Sequence, residues 1–158
     1  MVHHSQRHYT EEHYQRMDDA TTYEELLHVA TDILKSIPQP ISSVCCPIST
    51  GGAGDINKNL KIFDKTTNKL SNQNNSIFDQ MPFEKILQKL KDKFGDSEEE
   101  KNKIMLDKFY LPIYKSGLIT KMYFIHGWES SHGARWERGI AQKYNILIED
   151  LSENFTEL

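Results

Sequence analysis

The order strand, helix, strand between Leu118 and Ile148 constrains the fold more than any other feature of this sequence. The run from Leu118 to Ile125 is almost continuously apolar, as expected for a strand that is covered on both faces. A turn over 127–133 follows, then a predicted helix from about Ala134 to Tyr144 and a strand over 145–148. Connections of this length favour right-handed crossovers and therefore a parallel α/β sheet.

A second strand-to-helix connection contains most of the glycines in this part of the chain. The segment Ile41–Ile48 reads as a buried strand, and a helix over 56–70 follows the turn Ser49-Thr50-Gly51-Gly52-Ala53-Gly54-Asp55. Backbone N–H groups in such a turn can approach an anion or a sugar closely, because glycine has no Cβ. The turn matches neither the P-loop nor the dinucleotide fingerprint. A plain connecting loop is the alternative interpretation.

The other predicted elements are helical, apart from a short strand over 76–81. A capping box at Thr22 and Glu25 starts a helix that ends before Pro38, and Pro82 starts a second one that stops at Gly95. Ser97 starts a third helix, which is expected to end or kink at Pro112. The residues that it is expected to bury are Ile104, Met105 and Phe109, with Leu106 as a further candidate. We assign residues 1–40 to a helical N-terminal extension and 41–158 to the α/β domain.

Composition and charge exclude several classes of function. The 158 residues fit one domain with a single core, and the net charge of -4 and pI near 6.0 give no footprint for polymeric nucleic acid or an anionic membrane. No apolar run approaches the roughly 20 residues that span a bilayer. Adjacent Cys45 and Cys46 suit a buried strand in a reducing cytosol, which predicts a cytoplasmic protein.

The N-terminal segment is rich in histidine and polar rather than signal-like. Its histidines suggest metal binding or, alternatively, a polar leader; they are His3, His4, His8 and His13. No cysteine and no closed ligand spacing accompanies them, so the leader is favoured and no metal site is predicted. No cofactor is expected either.

Glu137 is the leading candidate for chemistry. Its carboxylate lies just beyond a predicted strand and near a helix N-terminus, which is where open α/β sheets bind ligands. The alternative is a salt-bridged surface glutamate. On the preceding turn, Trp128 either stacks on a ligand or packs in the core, and Glu129 is a second candidate carboxylate. His126 and His132 are as consistent with a structural role as with acid–base work.

The same stretch resembles a known family. It reads Gly127-Trp128-Glu129-x-Ser131-x-Gly133-Ala134-x-x-Glu137-x-x-x-Ala141. This pattern is similar to the signature of the nucleoside 2-deoxyribosyltransferase-like superfamily, above all its small phage and bacterial branch of unassigned function. The resemblance covers roughly 41–150. It implies a Rossmann-like (flavodoxin-like) parallel sheet flanked by helices, with the N-terminal helices outside it.

The resemblance also implies roles for individual residues. Glu137 matches the nucleophile that attacks the anomeric carbon, and Asp107 matches an acid that protonates the leaving base. Ser131 and Gly133 match the turn that holds a sugar or a phosphate. The loop residues Ser49, Gly51, Gly52, Gly54 and Asp55 match the edge of the sugar pocket. The partner would be a nucleoside or nucleotide, and members of the superfamily commonly complete their sites in homo-oligomers.

Two departures from the family pattern separate the two functional hypotheses. The family usually has a carboxylate near the segment 114–117, where this chain has none, and Ser131-His132-Gly133-Ala134 replaces an Asp-x-Gly-Thr turn. The first hypothesis is cleavage of an N-glycosidic bond, or 2-deoxyribosyl transfer, through Glu137. The second is a non-catalytic module that binds a nucleotide as a signal.

Overall fold

The computed structural model describes residues 4–48 and 52–157. Its longer helices are α1 (Glu11–Asp19), α2 (Tyr23–Ser36), α3 (Ile56–Asn72), α4 (Glu84–Lys93), α5 (Glu98–Met105), α6 (Leu111–Lys115) and α7 (His132–Lys143). Its strands are β1 (Ile41–Cys45), β2 (Ser76–Ile77), β3 (Ile119–Phe124) and β4 (Leu147–Asp150). Short 3₁₀ turns occur at His4–Gln6, Met81–Phe83, Trp128–Ser130 and Phe155–Glu157.

The strands form a parallel sheet in the order β2-β1-β3-β4. Helices flank this sheet, so the predicted Rossmann-like α/β class is confirmed. The chain passes from β1 outward to β2 and then returns to the other side of β1 for β3. The direction of winding therefore reverses between β1 and β3, and a crevice is expected beyond the carboxyl ends of these two strands.

Both faces of the sheet are buried at β1 and along most of β3, which explains the nearly continuous apolar pattern of β3. Tyr123 belongs to a cluster that α3 covers, together with Val44 of β1. Met122 and Phe124 point to the opposite face and join a larger cluster, to which α2 and the α4–α6 region contribute. Alternate residues of one strand thus enter two different cores, as the period of a strand requires.

Capping side chains set the start of two helices. Thr22 Oγ1 accepts a hydrogen bond from the Glu25 N–H at 3.1 Å, which confirms the predicted start of α2. Ser131 Oγ accepts from the Ala134 N–H at 3.2 Å, so α7 begins at His132, two residues before its predicted start.

Of the two outcomes predicted at Pro112, an end or a kink, the helix does not end there. After α5 the chain makes a π-helical turn over Leu106–Tyr110 and continues directly into α6, with Pro112 in its first turn. Proline fits there because the first N–H groups of a helix have no partner within it. Ile104 and Met105 are only partly buried, whereas Phe109 is fully buried, because the wider turn rotates the buried face toward the later residues.

The last strand is also displaced from its prediction. Asn145 adopts a left-handed conformation with φ of 56°, which belongs to the turn after α7. The strand β4 therefore begins at Leu147 and not at Asn145. It lies at one edge of the sheet, and Leu147 is 68% exposed.

The N-terminal helices share the core of the sheet. Met17 of α1 and Leu26, Ile33 and Leu34 of α2 are at most 1% exposed and belong to the same cluster as Ile41 of β1. Helix α2 packs against the π-helical turn and α6. In the described ranges 4–48 and 52–157, no helix combines the length and the apolar character needed to cross a bilayer.

Candidate active site

A cavity of about 170 Å³ lies beyond the carboxyl ends of the strands, on the side where the winding reverses. Part of its wall comes from the segments that follow the strands and from α7, and the rest from α4 and the helices after it. The residues that matter for chemistry are Cys46, Gln80, Glu84, Tyr110, Ser131, Gly133 and Glu137. This volume is below the roughly 300–1,000 Å³ of typical small-molecule pockets.

Glu137 is buried in the wall of this cavity and is 8% exposed. The Tyr114 hydroxyl donates a hydrogen bond to its Oε2 atom. The Cys45 thiol at the end of β1 forms a second hydrogen bond with the same carboxyl group. Helix α7, strand β1 and helix α6 thus hold this side chain together, and the surface-glutamate alternative does not describe it.

Burial raises the pKa of Glu137 to about 7. The hydrogen bonds from Tyr114 and Cys45 act in the opposite direction because they stabilise the carboxylate, whereas the nearby charge of Glu84 raises the pKa further. At neutral pH the group is therefore present in both protonation states. Carboxyl groups with such a pKa are frequent at sites of acid–base and nucleophilic chemistry.

Glu84 is a second carboxyl group on the same cavity. It is the first residue of α4 and is only partly exposed. Burial raises its pKa, while a long hydrogen bond of 3.4 Å from the Tyr110 hydroxyl and the charge of Lys91 oppose this rise. The cavity therefore contains two carboxyl groups, each paired with a buried tyrosine and each with a raised pKa.

The first turn of α7 lines the cavity next to Glu137. Ser131 caps the helix and is 4% exposed, and Gly133 and Ala134 border the cavity beside it. The N-terminus of a helix attracts anions and lone pairs because its first N–H groups point outward. Of the residues predicted from the sequence, Glu137, Ser131 and Gly133 are brought together here.

The described part of the glycine-rich loop, residues 52–55, lies outside the wall of the cavity. Gly52 donates its N–H to Ser130 Oγ at 2.7 Å, which ties this loop to the turn after β3. Its φ is +62°, and a Cβ at this position would lie 2.5 Å from Asn59 Oδ1. Both the backbone conformation and the packing thus require glycine, which favours the connecting-loop interpretation at Gly52.

Of the other four loop residues predicted to bind a ligand, two lie outside the cavity wall and two lie outside the described residues. Asp55 caps α3 by accepting from the Asn57 N–H at 2.8 Å, and neither Asp55 nor Gly54 lines the cavity. The neighbouring Ile56 does line it. Ser49 and Gly51 lie outside the described residues.

The structure places three other predicted residues away from the cavity. Asp107 lies on the π-helical turn and pairs with Lys103 at 2.5 Å. Trp128 and Glu129 border a shallower hollow beyond β3 and β4, where the Arg138 guanidinium lies 4.3 Å from a Trp128 ring centroid. Trp128 also packs edge-on against Phe124, 5.6 Å between centroids, as its core interpretation predicts.

Sequence reasoning missed the side chains that complete the site. Glu84 stands in the first turn of a helix, where acidic residues commonly balance the helix dipole, so nothing in the local pattern distinguishes it. Tyr114 lies in the segment 114–117, where the family pattern has a carboxylate and this chain has none. Its hydroxyl reaches Glu137 from this segment, a contact between residues 23 positions apart that no local spacing reveals.

Comparison with family models, with curated proteins and with solved structures finds no match to this chain. The likeness to the nucleoside 2-deoxyribosyltransferase-like superfamily therefore stays a prediction. In the part of the chain that the structure describes, no three side chains of metal-binding type gather at one place.

Proposed function

We propose that this protein cleaves the N-glycosidic bond of a nucleoside or nucleotide, by hydrolysis or by 2-deoxyribosyl transfer, with Glu137 as the nucleophile. The observation that carries the proposal is the pair of carboxyl groups, Glu137 and Glu84, on one cavity at the reversal of the sheet. Both have a raised pKa. Cleavage of a glycosidic bond with retention requires such a pair, one group to attack and one to donate a proton.

In the first step, an ionised Glu137 oxygen attacks the anomeric carbon. The bond from this carbon to the base nitrogen breaks, and the base takes the electron pair. Glu84, whose pKa burial raises, donates its proton to the departing base. The product is an ester between the sugar and Glu137. This ester divides one difficult displacement into two easier steps.

In the second step, the ester is opened by an oxygen or nitrogen nucleophile. The Glu84 carboxylate accepts a proton from water, which attacks the anomeric carbon and releases the free sugar. Attack by a second base instead gives transfer. Throughout, the Tyr114 hydroxyl holds one oxygen of Glu137 in place, and the first turn of α7 holds a sugar hydroxyl or a phosphate.

The test is incubation with a library of nucleosides and nucleotides, with detection of free base by mass. Glu137→Gln is expected to lower base release by about 10³-fold or more, since it removes the nucleophile. Glu84→Gln is expected to lower it by about 10²- to 10⁴-fold, the usual contribution of a general acid. Glu99→Gln, an exposed glutamate on α5, is the matched control and is expected to retain wild-type release.

Two further results decide between the alternatives. If Asp107→Asn lowers release as strongly as Glu84→Gln, the acid is the residue that the family resemblance implies and not Glu84. If no library member loses its base, or if Glu137→Gln changes nothing, the catalytic proposal fails. A nucleotide that raises the melting temperature and is recovered intact would then support the non-catalytic binding module.

A further inference from the structure

Gln80 is a buried polar side chain in the cavity wall that lacks a partner. It follows β2, is 6% exposed and lines the same cavity as Glu84. Its Oε1 atom is buried and accepts no hydrogen bond. A buried acceptor without a donor is unfavourable for folding, and among the buried unpaired side-chain atoms of the described residues this one belongs to a residue of the cavity wall.

The backbone on both sides of Gln80 is held by the contacts of its neighbour Asp79. The neighbouring Asp79 carboxylate accepts hydrogen bonds from Ser5 Oγ at 2.7 Å and from Gln6 Nε2 at 3.2 Å. It also accepts from the Met81 N–H at 2.9 Å. These contacts fix the residues on both sides of Gln80, and a group placed on a fixed backbone is suited to recognition.

Gln80 and Glu84 lie four residues apart and line the α4 side of the cavity, whereas Glu137 and Ser131 line the α7 side. In the proposed reaction, the sugar binds next to the nucleophile Glu137, and the base binds next to the acid Glu84. The α4 side is therefore the side that contacts the base.

Resting on the proposed function, we infer that Gln80 selects a base that carries an exocyclic amino group next to a ring nitrogen, as in adenine and cytosine. Its Oε1 accepts a hydrogen bond from the amino N–H, and its Nε2 donates to the ring nitrogen. A carboxamide matches this edge with two parallel hydrogen bonds. In the free protein Oε1 is both shielded from solvent and without a donor. The carboxamide therefore turns toward the cavity when the base binds, and the base then supplies the donor that Oε1 lacks.

The experiment is calorimetric binding of free bases in pairs that differ only by the amino group. The pairs are adenine with unsubstituted purine, and cytosine with 2-pyrimidinone. The wild-type protein is expected to prefer the amino member of at least one pair by about 10- to 100-fold, the range for a buried hydrogen bond made or lost. Gln80→Met, of similar size, is expected to reduce the preference to about twofold or less.

Two controls accompany this measurement. Gln142→Met changes an exposed glutamine of α7 and is expected to keep the wild-type preference. Gln80→Met removes a buried acceptor without a partner, so its melting temperature is expected to equal or exceed that of the wild type. This second result shows that the variant folds.

The outcomes separate this inference from the proposed function. Equal binding of both members of each pair, or a preference that survives Gln80→Met, overturns the role of Gln80 even if Glu137-dependent base release is seen. A preference that depends on Gln80, in a protein that releases no base, supports amino-base recognition and refutes the catalytic proposal. Base release that favours the amino-bearing substrates and loses this bias in Gln80→Met supports both.

Discussion

At the scale of single residues, the environment of Glu137 opposes its ionisation. The side chain is buried among Tyr114, Cys45 and the cavity, and no cation lies among the groups that shift its pKa. Burial therefore has the largest effect on the pKa, and two hydrogen bonds offset only part of it. Folding is thus easier when this group is protonated, which links the stability of the protein to pH.

Glu137→Gln is expected to alter the pH dependence of stability. The pKa is about 7 in the folded protein and about 4.3 in an unstructured chain. Between these values the folded state binds more protons, so the free energy of unfolding falls as the pH rises through this window. Glutamine does not titrate. The stability of the variant relative to wild type should therefore rise by on the order of 3 kcal/mol between about pH 5 and pH 8, measured by chemical denaturation.

Tyr114→Phe and Glu99→Gln are the controls for this measurement. Without the Tyr114 hydroxyl, the pKa of Glu137 rises further, so the fall in stability should extend to higher pH than in wild type. Glu99→Gln should follow the wild-type curve at every pH. Parallel curves for Glu137→Gln and wild type would show that Glu137 ionises as easily in the folded protein as in the unfolded one.

The sequence predicted the position of Glu137 but not its environment. The position of Glu137 followed from the order of strand, turn and helix, because this order alone brings the first turns of α7 to the end of the sheet. Its burial and its partners did not follow, since Tyr114 and Glu84 reach the cavity through contacts distant in sequence. Asp107 shows where matching a residue by its sequence position fails. It was matched to the family's acid, but its carboxylate accepts a hydrogen bond from Lys103.

At the scale of elements, Arg138 joins α7 to the edge strand β4. Its guanidinium donates two hydrogen bonds to the Asp150 carboxylate, at 2.6 and 3.0 Å. The same group lies 4.3 Å from the Trp128 ring centroid and 4.9 Å from that of Phe124. Because β4 is otherwise mostly exposed, the Arg138 side chain provides the main polar contact between β4 and α7.

Arg138→Ala is expected to destabilise the protein more than Asp150→Asn. The Asp150 side chain is 56% exposed, so its ion pair contributes less than about 1 kcal/mol and weakens with salt. The ring contacts of Arg138 add about 0.5–1 kcal/mol each and remain when Asp150 is changed. We therefore expect a loss of about 1–2 kcal/mol for Arg138→Ala, measured by chemical denaturation at low and high salt. Equal losses for both variants would mean that the ring contacts contribute nothing.

The prediction of elements was most accurate where a cap or a period defined them. Thr22 and Ser97 cap helices by local hydrogen bonds, at 3.1 Å in both cases, and their sequence patterns predicted both starts. The π-helical turn before α6 was not predicted. It packs against α2, a contact between elements distant in sequence that the local pattern does not show. The start of β4 was also not predicted, because it is set by the turn at Asn145.

At the scale of the whole molecule, the N-terminal helices and the sheet share buried surface. Ile33 and Leu34 of α2 lie in one cluster with Phe109 and Ile119, and these side chains are at most 1% exposed. The N-terminal turn is also fastened to the end of β2, where Ser5 and Gln6 bind Asp79 next to the cavity residue Gln80. Such shared burial favours a single cooperative unit over two independent ones.

Leu26→Ala is expected to destabilise the entire chain and not only residues 1–40. Leu26 is 0% exposed in α2, and truncation of a buried leucine costs about 2–5 kcal/mol. Both tryptophans, Trp128 and Trp136, lie in the α/β part of the chain, so their fluorescence follows that part alone. Unfolding measured by helix circular dichroism and by tryptophan fluorescence should shift together and by the same amount.

Leu70→Ala, which truncates a buried leucine of α3, is the matched control, and its two transitions should also shift together. If Leu26→Ala shifts the circular dichroism transition and leaves the fluorescence transition unchanged, the N-terminal helices form a separate unit, and the cavity wall at Gln80 does not depend on them.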